Sequence, residues 1–373
     1  MNSPVEKKRR NRIWPYLIAA AIPLLGLVAF YLLASRTTVL ASVNRGFSRP
    51  VLDAMGSHFA AVPFSFMEFY IALLLVAVLL FLISLFRRLI LGPARLKSLL
   101  RHILVLITVA ALVWNGFCWL WNAGYYDDSF SKASGMDARG AYLEQLELTA
   151  AFFLDEANAL ADQVPRDADG VMTLSWDRAL EGYDRLYDSL EQDYPCLRGQ
   201  TTKPKRVFFS SIMSRLGFTG IFFPFTGETY VNGHQPAWSM PFSVAHEIAH
   251  QRGVHLEAEC DFLGIAACLQ SDDPCVRYSG CLMGLIHMSN ALYRADPDSW
   301  YRIRAGFSKG TEADWKYNSD YWKKMEGTVS KASDKVYDSF LKVNTQPSGL
   351  RSYGECVDLL VLWLSENGYI PAG

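Results

Sequence analysis

Between Met240 and Phe262 the chain carries His246, Glu247 and His250 in the pattern His-Glu-x-x-His, followed by Gly253 and then by Glu257, Glu259 and Asp261. On a helix, residues four apart lie on one face with their Cβ atoms about 5–6 Å apart, so the imidazoles of His246 and His250 are able to converge on a single ion. Glu247 is one step further round the same helix, placed to reach a water beside that ion rather than to bind it. Zinc lowers the pKa of a bound water to about 7, and a neighbouring carboxylate then takes the proton and passes it to a leaving amine. The spacing therefore points to hydrolysis of peptide bonds, with Zn2+ as cofactor, His246 and His250 as ligands and Glu247 as general base.

Catalytic zinc takes three protein ligands, so two imidazoles leave the set incomplete. Glu257 lies seven residues beyond His250, which on one unbroken helix is about 10 Å further along the axis. The chain must turn, and Gly253 permits it. Beyond the turn, Glu257 and Asp261 share a helix face: Glu257 is the expected third ligand, and Asp261 accepts the N–H of a ligating imidazole. Glu259 is the rival ligand, with its side chain on another face. Pro241 suits a first helical turn and Gly253 the residue past the last, so a helix is expected over Pro241–Arg252. Val244, Ala245, Ile248, Ala249 and Gln251 are uncharged, as burial of that helix requires, and Arg252 is the exception. A chance His-Glu-x-x-His is frequent in unrelated helices; the flanking Pro, Gly and Glu-x-x-x-Asp distinguish this one.

The elements that must position these residues are mainly helical. Val207–Phe209, Gly220–Phe223 and Thr229–Val231 are short, aromatic and bounded by Gly and Pro, which predicts a small sheet with Asn232-Gly233 as a turn. An exposed edge of such a sheet is able to hold an extended peptide by main-chain hydrogen bonds. Helices are expected from Asp137 to about Gln163, from Ser175 to about Gln192, from Tyr317 to Val343 and from Tyr353 to Leu364, and Asp272-Asp273-Pro274 interrupts another. Six of the seven cysteines follow residue 127, mostly in apolar helical patterns, where a free buried thiol is expected. His234, His255, Tyr230 and Tyr278 are candidate oxyanion partners outside the core set; His58, His102 and His287 read as incidental.

Composition is 51% hydrophobic over 373 residues, with a net charge of −1, so nothing points to nucleic acid. Most of the apolar excess precedes Tyr125. Uncharged runs at about 13–34, 69–86 and 103–121 are long enough to cross a bilayer. Basic clusters, Lys7–Arg12 and Arg87–Arg101, flank them, and positive loops stay in the cytoplasm. The expected arrangement is a membrane anchor over 1–126 and an extracytoplasmic domain over 127–373, with the lipid bilayer as one partner.

The motifs Gly220–Asn232, Pro241–Gly253, Glu257–Phe262, Arg277–Gly280 and Leu350–Gly354, with the three spans before them, resemble the bacterial domain-of-unknown-function 3810 family. That resemblance implies similarity to gluzincin metallopeptidases: a mainly α fold, with three transmembrane helices before a zincin-like domain that holds a small sheet. Carried over by position, it gives His246, His250 and Glu257 on zinc and Glu247 as base, at a bacterial cytoplasmic membrane. The competing expectation is a non-catalytic sensor or binding protein on the same fold. Intramembrane proteolysis fails on position, because the His-Glu-x-x-His stretch lies far from any span.

Overall fold

A computed structural model describes residues 13–91, 95–343 and 353–371. The basic cluster Lys7–Arg12 and most of the Leu350–Gly354 motif lie outside the described residues. Three helices are long and apolar enough to cross a membrane: α1 (Trp14–Leu33), α2 (Phe66–Leu91) and α3 (Arg95–Leu120). The 69–86 run falls within α2, and the other two match α1 and α3 to within one residue at the ends where they overhang. Helices α2 and α3 start before their apolar runs, because nothing at Phe66–Glu68 or Leu96–Arg101 breaks a helix.

The chain divides into two compact units. The first takes in the chain up to Leu52, Phe66–Asp127 and Pro224–Thr226; the second takes in Asp53–Ser65, Asp128–Phe223 and Gly227–Gly373. In the first unit α1 packs along α3. Pro23 interrupts the α1 hydrogen-bond ladder, and Asn115 of α3 donates its amide to the Pro23 carbonyl at 2.6 Å. Such a bond is the way a membrane helix keeps a polar group satisfied where water is absent.

The second unit is built on α4 (Leu143–Ala161), α5 (Ser210–Leu216), α6 (Met240–Gln251), α7 (Glu257–Leu269), α8 (Pro274–Ala295), α9 (Lys309–Met325), α10 (Thr328–Val343) and α11 (Tyr353–Glu366). Three strands, β1 (Lys205–Arg206), β2 (Gly220–Phe223) and β3 (Glu228–Val231), form a sheet in the order β1-β3-β2. The β2–β3 pair is antiparallel and β1 runs parallel to β3, which leaves β2 with a neighbour on one side of the sheet. One core joins α4, α6, α7, α8 and α11, with Phe153, Phe262, Leu285, Leu360 and Trp363 wholly buried. The Leu359–Leu364 run of α11 lies in this core.

Several local expectations are corrected. The strand expected at Val207–Phe209 is the two residues before it, and Phe208-Phe209 forms a turn. Residues 224–227, with Gly227 at φ +65°, connect β2 to β3, and the turn expected at Asn232-Gly233 follows β3, over Gly233-His234, rather than joining two paired strands. Asp137 caps nothing; α4 begins after Tyr142. Ser175 does cap a helix, but Gly182 at φ +74° ends that path, leaving short turns over Trp176–Asp193. The expected Tyr317–Val343 helix is two helices, parted at Glu326-Gly327.

Two buried charges in the second unit are each paired. Arg252, 4% exposed, ion-pairs with Glu191, donates to the carbonyls of Gly199 at 2.7 Å and Leu197 at 3.2 Å, and stacks its guanidinium over Tyr187. That loop is the reason a cation is tolerated at the end of an otherwise uncharged helix. Asp314 of α9 is likewise sealed in, accepting from Arg166 at 2.8 Å, from the Tyr278 hydroxyl at 2.6 Å and from the Met172 N–H at 2.7 Å. Removing one partner of a buried pair strands the other, so Asp314→Ala is expected to lower unfolding free energy by about 3–5 kcal/mol. Denaturant unfolding of the purified full chain checks this; an unchanged midpoint would show the pair to be dispensable.

Candidate functional site

Helix α6 presents His246 and His250 one turn apart, with ring centroids 5.1 Å from each other and planes nearly perpendicular. The helix ends in a Schellman turn: the Gly253 N–H donates to the His250 carbonyl and the Val254 N–H to the Ala249 carbonyl. Gly253 has φ +83°, a conformation that costs a side-chain-bearing residue about 1–2 kcal/mol. The reversal sends the chain back along α6 into α7, and Glu257 is the first residue of that helix.

The result is a compact group. Glu257 Oε2 is 3.2 Å from His246 Nε2, and its Oε1 is 3.7 Å from His250 Nε2. The other ring nitrogens are engaged elsewhere: His246 Nδ1 meets Asp261 Oδ1 at 2.9 Å, and His250 Nδ1 meets the Val254 carbonyl at 2.8 Å. With Nδ1–H donating in both rings, both Nε2 atoms are turned toward one carboxylate. Glu259 points away; it accepts the N–H groups of Phe130 and Ser131 and the Ser131 hydroxyl, each at 2.8 Å, and so caps the short helix Phe130–Ser134.

Cys260 also stands close, its Sγ lying within 4.8 Å of a donor atom of each histidine. It sits 3.4 Å from His250 Nδ1 and 3.6 Å from the Val254 carbonyl, on the ring edge already occupied. Burial, with Glu257 and Asp261 nearby, pushes its pKa well above the usual thiol range. Glu257 faces the Nε2 atoms of both rings and is better placed as a third group.

The charges agree with that choice. Burial works against a charge on His246, yet Asp261 and Glu257 outweigh it and raise its pKa well above the ordinary value. Burial likewise opposes charge on Glu257, but His246 and His250 bring it down to about 2. Burial lowers His250. Two imidazole nitrogens and a carboxylate are a donor set that could hold a divalent ion with three protein ligands.

Glu247 lies beside this group, 4% exposed, and its Oε2 has no hydrogen-bond partner among the described residues. Burial, reinforced by Glu257 and Asp261, raises its pKa to about 8. The carboxylate is fitted against β2: a Cβ at Gly220 would stand 2.3 Å from Glu247 Oε1 and 2.6 Å from its Cγ.

Other side chains are sorted by the fold. Tyr337 of α10 donates its hydroxyl to Glu257 Oε1, although it lies 80 residues away. His287, read as incidental, is brought to Asp261, with Nε2 3.6 Å from Oδ2. Neither carried a local sequence signal, since each reaches the site only through packing of a distant helix. Tyr230 bonds Glu228, Tyr278 bonds Asp314, His255 faces the Gly253 carbonyl and His234 is exposed. Cys118, Cys260, Cys268, Cys275, Cys281 and Cys356 are buried, unbridged thiols.

The family described as "Protein of unknown function (DUF3810)" matches residues 44–361, most of the chain. The chain belongs to the DUF3810 family. No curated protein and no solved structure matches it. The matched span of this DUF3810 member contains the whole of the group around His246, together with β2 and Tyr337.

The Gly220–Glu247 contact is testable on stability alone. Gly220→Ala overpacks the site and is expected to cost about 1–3 kcal/mol. In a Glu247→Ala background the same substitution should cost much less, since contacting residues couple in a double-mutant cycle. Equal costs in both backgrounds would show that Glu247 does not fill that space.

Proposed function

We propose that this protein is a membrane-anchored, zinc-dependent peptidase of gluzincin type. The observation that carries the reading is the convergence of His246 Nε2, His250 Nε2 and the Glu257 carboxylate, with the unpartnered Glu247 carboxylate oxygen beside them. His246, His250 and Glu257 would hold the ion, which when bound supplies Lewis acidity toward a carbonyl oxygen and toward water. Glu247 takes a proton from the attacking water and returns it to the departing amine; burial suits it to this work, because a base that must also act as an acid works best with a pKa near the operating pH. Asp261 and the Val254 carbonyl hold the two rings in the tautomer that leaves Nε2 available, and Tyr337 fixes the carboxylate.

Substrate placement follows from the sheet. Strand β2 has β3 on one side, and its first residue, Gly220, touches Glu247. An extended peptide added along the other side of β2 would lie against the general base, held by main-chain hydrogen bonds that tolerate many sequences. The basic cluster between α2 and α3 supports a reading in which that connection is cytoplasmic and the peptidase unit lies on the outer face of a bacterial cytoplasmic membrane. A Lys316→Cys variant, in a Cys196→Ser background, should accept a membrane-impermeant maleimide in intact cells; labelling only after lysis would reverse this orientation.

The purified full chain is expected to hold zinc in equimolar amount, lost in His246→Ala. Uptake displaces the proton of His246, whose pKa is raised, so affinity should weaken as pH falls. Glu247→Gln keeps all three ligands and should keep the zinc while cutting cleavage of a peptide library by about 10²–10⁴-fold. No zinc in the parent chain would end the peptidase reading. Zinc without cleavage in parent and variant alike would favour a metal-bearing sensor.

A further inference from the structure

The turn between β1 and α5 exposes a pair of phenylalanines at its tip. Phe208 is 82% exposed and Phe209 54%, with their rings 5.0 Å apart and edge to face, and Ile212, one turn into α5, is 53% exposed. Three large apolar side chains so placed form the kind of surface that soluble proteins seldom leave to water.

What covers it follows from the chain itself. Lys205 of β1 donates from its ammonium to the carbonyls of Phe59 at 2.9 Å and Phe64 at 3.1 Å, and ion-pairs with the buried Glu228. Its head is therefore fixed against the segment 59–64. That segment leads directly into α2: Phe64 stands two residues ahead of Phe66, the first residue of a membrane-spanning helix. At 1.5 Å per residue α2 is about 39 Å long, more than the roughly 30 Å of hydrocarbon and close to the full bilayer thickness. Its first turn, which carries Glu68, then belongs to the headgroup layer. Phe64, two residues ahead of that turn in the chain, is itself 53% exposed. Phe208 is three residues past Lys205, a reach of at most about 10 Å.

We propose that Phe208, Phe209 and Ile212 are a membrane-insertion tip: they dip into the lipid interface at the leaflet where α2 begins. Aromatic rings favour that depth, where one part of the side chain meets acyl chains and the rest meets headgroups. Arg206 and Arg215 flank the tip in sequence and suit it to anionic lipid phosphates. Under this arrangement the Gly220 end of β2, which follows α5 directly, works close to the bilayer surface. The inference rests on chain connectivity and the Lys205 anchor, and it stands whether or not the His246 group is a peptidase centre.

The test uses the full chain in a Cys196→Ser background, spin-labelled at Phe208→Cys and reconstituted into vesicles of phosphatidylcholine and phosphatidylglycerol. Collision rates with oxygen, which concentrates in lipid, and with a water-soluble nickel chelate give the depth. Phe64→Cys serves as the interfacial reference and Lys316→Cys, on a polar helix face, as the aqueous one. The label at 208 should match or exceed the reference at 64, with an oxygen-to-nickel ratio severalfold above that at 316. Ile212→Cys provides a second reading should Phe208→Cys fold poorly. A ratio at both tip positions equal to that at 316 would overturn the proposal. So would labels shielded from both reagents, which would mean that a protein surface covers the tip.

Discussion

The chain reversal at Gly253 is the constraint on which the site depends. An unbroken helix would carry Glu257 about 10 Å past His250; the left-handed glycine instead folds it back between both imidazoles. The same turn supplies the Val254 carbonyl that engages His250 Nδ1, so one local motif both positions the acid and orients a ring. Asp261, one turn into α7, orients the other. Helix α7 then has to be buried along its length, and the Phe262–Leu269 run that packs on α6, α8 and α11 does so.

Around that reversal the protein is clamped rather than loosely packed. Arg252 at the end of α6 is fixed by Glu191 and by loop carbonyls, while Glu259, two residues beyond Glu257, is consumed in capping the helix Phe130–Ser134. Desolvating a charge costs several kcal/mol unless it is paired and hydrogen-bonded, and these groups meet that condition. Glu247 is different: it is buried, held toward neutrality and has a carboxylate oxygen with no partner among the described residues. Thr149 Oγ1, Trp238 Nε1 and Trp363 Nε1 are also buried without a partner among the described residues; what sets Glu247 apart is that it is ionisable and stands beside two histidines and a second carboxylate.

The sheet contributes by shape. Its strands are short, and β2 presents Gly220 where any side chain would displace Glu247. Strand edge and carboxylate are thereby brought to van der Waals contact, a closeness that neither element would have alone. The helix α10 contributes one hydroxyl, from Tyr337, to the acid opposite.

Helix α6, the turn after it, the three apolar spans and the core helix at the C-terminal end were all legible in the residues, because each depends on signals within a few positions: Pro at a first turn, Gly past a last, apolar period and length. The choice between Glu257 and Glu259 was open, since both occupy the first turn of α7 and only the position of Phe130–Ser131, more than a hundred residues earlier, takes Glu259 out of reach. Local pattern also misled at Phe208-Phe209, where aromatic β-formers turn instead of pairing, and at Glu326-Gly327, where amphipathic spacing runs through a break. His287, Tyr337 and the contact of Gly220 with Glu247 had no sequence signature. Each is a meeting of segments distant in the chain, fixed by how helices and strands pack around a shared core, and periodicity along a sequence holds no record of such distances.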